Sequence, residues 1–233
     1  MKTLFPILVS LVVFHCGYSQ NQPKIENYPF ESLDVNIMVI PLGMENPIKI
    51  GTMSKSGDIK FEIPKELAQL SKETEENYMN DVAYTLFDVC DNVRDILSGK
   101  ENIASFDTGV LSLWTSNSRY VGVIFAVSDE NLMPWVEDPA YMEPHMGSYF
   151  ELMYVKKAFQ YEGACVQTRM MDEGDAIITY QYHLNLKAGF NFVEYKIESI
   201  HKTDPNVMAS FPDTLSVTSV EGIPDCQWIG KYF

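Results

Sequence analysis

The chain has 233 residues, of which 46% are hydrophobic and 12% aromatic, and carries a formal net charge of −15. That composition excludes intrinsic disorder and suffices for a hydrophobic core in one large domain or two small ones. The acidity repels nucleic acid and anionic lipid, and suits solubility, cations or a basic partner.

The first residues read as a targeting segment. Met1-Lys2-Thr3 is a short positive head, and Leu4 to Phe14 is an apolar run interrupted only by Pro6 and Ser10. Gly17 and Ser19 place small side chains three and one positions before a cut. This is the pattern of a secretory signal peptide over residues 1–19, with the mature chain starting at Gln20. The run is too short to anchor the mature chain, and no other stretch resembles a membrane span. Cys16 offers a second mode, a lipid anchor, but His15 stands where a lipoprotein signal has a small residue. The expected location is therefore exported: periplasmic, cell-surface or extracellular. Gln20 directly after the cut resembles the leaders of Bacteroidota proteins.

Beyond the leader stand Cys90, Cys165 and Cys226. In an oxidising compartment an odd number leaves at least one unpaired or bridged to another chain. Two arrangements stay open, three buried thiols or a Cys165–Cys226 bridge.

Residues 20–31 read as a loose mature N-terminus. Val35, Ile37 and Val39 then alternate with Asn36 and Met38 as one strand, and Ile48-Lys49-Ile50 starts another. Ile59, Phe61 and Ile63 form a third, joined to the second through Ser56-Gly57-Asp58 as a hairpin. Pro41 and Pro64 close the pairing, because proline cannot donate to a ladder. Pro64 to Lys72 reads as a short helix. Met79, Val82, Ala83, Leu86, Phe87, Cys90, Val93 and Leu97 recur at spacings of three and four. This predicts one amphipathic helix over 75–97, with Glu75 and Glu76 at its positive end and Ser98-Gly99 as its stop.

From residue 106 the period returns to two. Val110 to Trp114 and Val121 to Val127 flank a Ser116-Asn117-Ser118 turn. After a long loop, Tyr149 to Phe159 and Tyr161 to Met170 read as strands. Ile178, Tyr180, Tyr182, Leu184 and Leu186 give the clearest alternation, turned back at Lys187-Ala188-Gly189 into Val193, Tyr195 and Ile197. Leu215 to Val220 adds a last strand, and Trp228 sits in the tail. The fold class is α+β, a mainly antiparallel β-sandwich-like body with one amphipathic helix packed on it. The regions are 32–105, with the hairpin and helix, and 106–233, the antiparallel part, the two forming separate units or one continuous domain from residue 32.

Two hairpins carry local resemblances. Gly51-Thr52 with Ser56-Gly57-Asp58-Ile59 and Phe61-Glu62-Ile63-Pro64 resembles the hairpins of secreted β-sandwich modules, transthyretin-like ones included. Leu184-Asn185-Leu186-Lys187-Ala188-Gly189-Phe190-Asn191 is similar to a hairpin of secreted Bacteroidota proteins, in which Trp often replaces Phe190. Each covers about a dozen residues and implies a secreted β-rich protein, not an enzyme.

Motifs for chemistry are missing. There is no strained Gly-x-Ser-x-Gly elbow, phosphate loop or dinucleotide fingerprint, and no pair of mature histidines at helical ligand spacing. No catalytic residue, cofactor or metal ligand is assigned. His183 and His201 read as solvated strand histidines. The loop at 128–149 is the candidate site, because loops of this length in compact domains are often functional. It carries Trp135, Glu137, Asp138, Tyr141 and His145. Aromatic faces can stack on a sugar ring while carboxylates accept its hydroxyl protons.

The expectation is a non-enzymatic secreted or envelope binding protein for a glycan or an envelope protein, with no nucleic-acid partner. A hydrolase of an extracellular polymer, with unidentified carboxylates, and a structural envelope component are the alternatives. The sequence carries no signal for oligomeric state. Intact-mass measurement of the exported protein should give a chain starting at Gln20. A start at Cys16 with added acyl mass would make it a lipoprotein.

Overall fold

The computed structural model describes residues 22–26, 28–29, 33–67, 70–96, 98–99, 101–139, 142–170, 175–201 and 210–233. The leader, the Gln20 cut and Tyr141 lie outside the described residues.

Alternation makes strands where it was read. β1 (Val35–Val39), β2 (Ile48–Met53) and β3 (Ile59–Phe61) form in order, with Val35, Ile37 and Val39 buried along one face. The turn before β3 needs glycine. Gly57 has φ +83°, and a Cβ there would lie 2.1 Å from the carbonyl oxygen of Ile25. Ile25 donates its N–H to the Gly57 carbonyl at 2.9 Å, and Ile25 and Tyr28 are buried in the core. The described part of the 20–31 segment is thus laid against the sheet.

The helix expected over 75–97 is broken. In its place stand α1 (Lys72–Tyr78), the two-residue strand β4 (Asn80–Asp81), α2 (Val82–Leu86) and α3 (Val93–Ile96). The physical reason is local capping. Ser71 Oγ accepts the Thr74 N–H at 3.0 Å and starts α1, while an Asp81 carboxylate oxygen accepts the Ala83 N–H at 3.1 Å and starts α2. Asn80, Asp81, Asp88, Asp91 and Asn92 interrupt the stripe with residues of low helix propensity, and the Asp81 and Asp91 carboxylates accept backbone N–H groups, those of Ala83 and Thr168. The Pro64 to Lys72 helix is also corrected: among the described residues, helix begins only at Lys72.

The stripe nevertheless meets the core. Val82, Ala83, Leu86, Phe87 and Cys90 are buried. The Phe87 ring packs 4.6 Å from Tyr182 and 4.9 Å from Tyr161, centroid to centroid. The Tyr182 hydroxyl donates to the Leu86 carbonyl at 2.9 Å, closing the end of α2. Cys90 is bonded to Cys165, and Cys226 is free. This corrects both arrangements left open by the sequence, three free thiols and the Cys165–Cys226 bridge. The apolar stripe and an inward position of a distant strand bring Cys90 and Cys165 to the same core. Burial and the Asp225 charge push the Cys226 thiol up to about 12, so it is protonated and inert at neutral pH.

The remaining elements are β5 (Ala104–Asp107), β6 (Leu111–Thr115), β7 (Tyr120–Val127), α4 (Met133–Glu137), β8 (Gly147–Val155), β9 (Phe159–Arg169), β10 (Ala176–Leu186), β11 (Gly189–His201), β12 (Phe211–Val220) and β13 (Gln227–Tyr232). Thirteen strands join into one sheet in the order β3-β2-β1-β6-β7-β8-β11-β12-β10-β9. β13 also pairs with β7, and β5 pairs with both β8 and β4. The pairings are antiparallel except β10 with β12. The fold is α+β and β-rich. The first β region joins the larger sheet directly, through β1 on β6.

β8 and β11 are apolar on both faces. Leu152 and Phe192 point into one cluster with β1, β2 and β6, and Met153, Val155 and Val193 into a second with α2, β9 and β10. A third cluster holds Leu132 and Trp135 against Ile178, Ile197 and Leu215. No helix among the described residues is long and apolar enough to cross a membrane.

The disulfide spans 75 residues of sequence, so in the chain-entropy picture it contributes about 4 kcal/mol. Of cysteines 90, 165 and 226, only Cys226 should alkylate in denaturant before reduction, and all three after it. The Cys90→Ala/Cys165→Ala variant should lose stability of that order in a denaturant titration.

Candidate functional site

The loop picked out by sequence is built, not structureless. Asp129 caps a 3-10 turn over Glu130–Leu132, which runs into α4. Leu132 is fully buried, and Trp135, 9% exposed, packs its ring edgewise against Tyr149 at 5.7 Å. Trp135 therefore anchors the segment to the sheet, and a ring so placed has no open face for a sugar. Glu137 pairs with Lys231 at 2.8 Å. Asp138 is half-buried at the end of α4, its N–H donating to the Pro134 carbonyl at 3.1 Å. His145 is exposed, and Tyr141 lies outside the described residues. The four described candidates do not converge on one surface: Trp135 turns inward, while Glu137 is committed to β13. His183 is exposed on its strand, 3.9 Å from Glu162, and His201 stacks on Phe211.

Two other features have the geometry of sites. The first lies under α4, where the sheet forks. β7 pairs with β6 through Tyr120–Ile124, and with β8 only through Ala126 and Val127. β8 then pairs with β5 from Met153 onward. Neither ladder covers Glu151 and Leu152. The Leu152 carbonyl is satisfied by Thr108, whose N–H and Oγ1 donate at 3.1 and 2.7 Å. At this gap opens a cavity of about 160 Å³, with Glu151, Tyr149 and Asp107 among its walls and exposed Gly109 and Val110 also lining it.

Glu151 is the chemically unusual group. Burial, and then the charges of Asp107 and Asp88, push its carboxyl up to about 8. Asp107 is also raised by burial, although its carboxylate accepts the Gly109 N–H at 2.9 Å. Tyr149 and Tyr195 stack at 5.0 Å with planes 9° apart, and burial holds both hydroxyls well above their ordinary range. Among the described residues, no hydrogen bond or ion pair reaches Glu151, and no hydrogen bond reaches the hydroxyls of Tyr149 and Tyr195.

The second feature is an aromatic row on the surface. Trp114 on β6, Tyr120 on β7 and Phe233 just past β13 follow one another with ring centroids 5.4 and 5.5 Å apart. Tyr120 is 42% and Phe233 67% exposed. Leu111 and Leu113 fill the core, which leaves Trp114 on the opposite face, its Nε1 donating to Ser112 Oγ at 2.9 Å. The Phe233 N–H donates to the Val121 carbonyl at 3.1 Å and fixes the last ring. Sequence reasoning missed both features. Glu151 was signalled by a single acid inside the apolar run Tyr149 to Val155, and the row by aromatic residues on either side of one hairpin turn.

Comparison with known proteins finds no match to a protein-family model, to a curated protein or to a solved structure.

Between pH 5 and 8 the folded chain keeps a proton on Glu151 that the unfolded chain, with its carboxyl at the ordinary 4.5, has released. The native state then binds more protons, so stability falls as pH rises through this window. The loss should be on the order of 4 kcal/mol. Glu151→Gln should remove most of that slope, as read from denaturant midpoints at pH 5 and 8. A slope unchanged in the variant would place the titration elsewhere.

Proposed function

We propose that this chain is an exported, non-enzymatic binding protein of the cell envelope whose ligand is a glycan. The observation that carries the reading is the row Trp114, Tyr120 and Phe233. Three neighbouring rings, two of them with large exposed areas, stand on paired strands or, for Phe233, on a backbone bonded to one. An aromatic plane binds a sugar by covering the apolar face of its ring, and rings already fixed in place lose little entropy on binding. Arg119, exposed and without an ion pair among the described residues, stands next to Tyr120 and can donate to hydroxyls. Export is supported by the leader pattern and by the Cys90–Cys165 bridge, since disulfides persist in oxidising compartments.

A polymer hydrolase is the second reading, favoured by Asp107 and Glu151, two carboxyls raised by burial in one cavity. The cavity's volume of about 160 Å³ is below the roughly 300 Å³ at which pockets begin to enclose a drug-sized molecule. Size therefore favours binding at the open row over cleavage in the cavity.

On a glycan array the wild-type chain should give discrete signals. Trp114→Ala and Tyr120→Ala should each reduce them at least tenfold, with the Tyr120→Ala melting temperature shifted by no more than a few degrees. A silent wild-type array, or signals indifferent to Tyr120→Ala, would sink the glycan reading. Loss of the signals in Glu151→Gln with new reducing ends in the wild-type reaction would favour the hydrolase.

A further inference from the structure

The cavity at the sheet fork lies at the other end of the β6–β7 pair from the aromatic row, and its chemistry differs. Its base is Glu151, whose carboxyl has no hydrogen-bond or ion-pair partner among the described residues. Every charged group acting on Glu151 is an acid, Asp107 from β5 and Asp88 from the turn after α2. The other titratable groups acting on the stacked pair are the hydroxyls of Tyr180 and Tyr182, and the Arg169 charge acts on Tyr180 but is not among the groups acting on Glu151. On the α4 side, Lys231 is paired with Glu137. A carboxyl on which, among the described residues, only acids act is an electrostatic hole for positive charge.

The rest of the cavity sets the size and shape of what fills it. Leu111, Ile124 and Phe192 supply apolar wall, and exposed Val110 is at its edge. A volume of about 160 Å³ holds roughly five waters at about 30 Å³ each, or one short organic molecule. Among the described residues no group of three or more His, Cys, Asp or Glu is placed to hold a metal ion. An apolar wall is also a poor surround for a hydrated ion. An organic cation satisfies both parts: a charged head for Glu151 and the Tyr149 hydroxyl, and a short stem for the wall.

We propose that the fork cavity is a binding site for a small organic cation, an ammonium or guanidinium head on a short apolar stem. Empty, the cavity keeps a proton on Glu151. Occupied, the cation replaces that proton, and the carboxylate accepts charge-assisted hydrogen bonds from the head group. Binding is therefore a proton–cation exchange. Below pH 8 it weakens about tenfold for each unit of pH, because one proton is released per cation bound.

The test uses the full mature chain and n-propylammonium chloride as probe, followed by calorimetry and by NMR of the aromatic resonances. Saturable one-to-one binding is expected at pH 8, about fiftyfold weaker at pH 6. Heats measured in buffers of different ionisation enthalpy should report release of about one proton at pH 7, a readout that needs no variant. Glu151→Gln should abolish binding, while Tyr120→Ala in the aromatic row should leave it intact. 1-Propanol, the neutral analogue, should not compete. No saturation at pH 8, equal binding at pH 6 and 8 without proton release, or equal competition by 1-propanol would each overturn the proposal. Its failure would leave the glycan reading standing, since that reading fails on the array and at Tyr120.

Discussion

The ladder between β8 and β11 runs unbroken from Val155 opposite Gly189 to Gly147 opposite Ile197, and around Leu152, Met153, Phe192 and Val193 both faces of it are apolar. Where a strand pair is buried on two sides it has no solvent face to tilt toward, so its register is set twice over. Leu152 and Phe192 fix it from one side, and Met153 and Val193 from the other. Everything else in the chain is arranged around this pair. The first β region packs over one face, and the α2 segment, β9 and β10 cover the other.

That arrangement forces the fork. The outer edge of β8 is shared by β7, which comes from one layer, and β5, which belongs with the helical segment. Two strands from different layers cannot meet end to end without a gap, and the gap falls at Glu151 and Leu152. Hydrogen-bond demand at Leu152 is met by the Thr108 hydroxyl and amide. The Glu151 side chain is left facing the space. The fold thus carries at its centre a carboxyl that costs stability once it ionises. A sequence optimised for stability alone would place an apolar residue there, and strain of this kind concentrates at functional sites.

The period of two was legible because long strands repeat it many times: β10 and β11 each read several alternations, and their hairpin at Lys187 to Gly189 is fixed by Asn191, whose side chain bonds both ends of the turn. β5 was not legible, having only four residues, and β13 was not, because Gly230 stands at an inward position between Trp228 and Tyr232. The apolar stripe from Met79 was read correctly as core but wrongly as one helix. Spacing says which side of a segment is apolar, whereas Asp81 and its neighbours decide whether the backbone continues. The Cys90–Cys165 bond was invisible for a related reason, since pairing depends on which strand the α2 segment lies across. At the site, Trp135 was picked out, but which way its ring turns was not legible. An aromatic residue in a loop is legible, and the direction of its ring is not.

The edge of the sheet bears on the structural-assembly alternative. A bare edge strand templates the addition of another chain. Among the described residues β9, paired only with β10, is the longest edge strand. Its outward backbone groups at Val166 and Thr168 are covered by the segment after α2: Asp91 donates its N–H to the Val166 carbonyl at 2.9 Å, and its carboxylate accepts from the Thr168 N–H and hydroxyl at 2.9 and 2.6 Å. The neighbouring disulfide holds that segment in place. Farther along, Glu162 puts an exposed charge on the strand, and Gly163 weakens it. These are the devices by which sheets avoid pairing with one another, and they favour a chain that binds its ligand through side chains over one that assembles through its backbone.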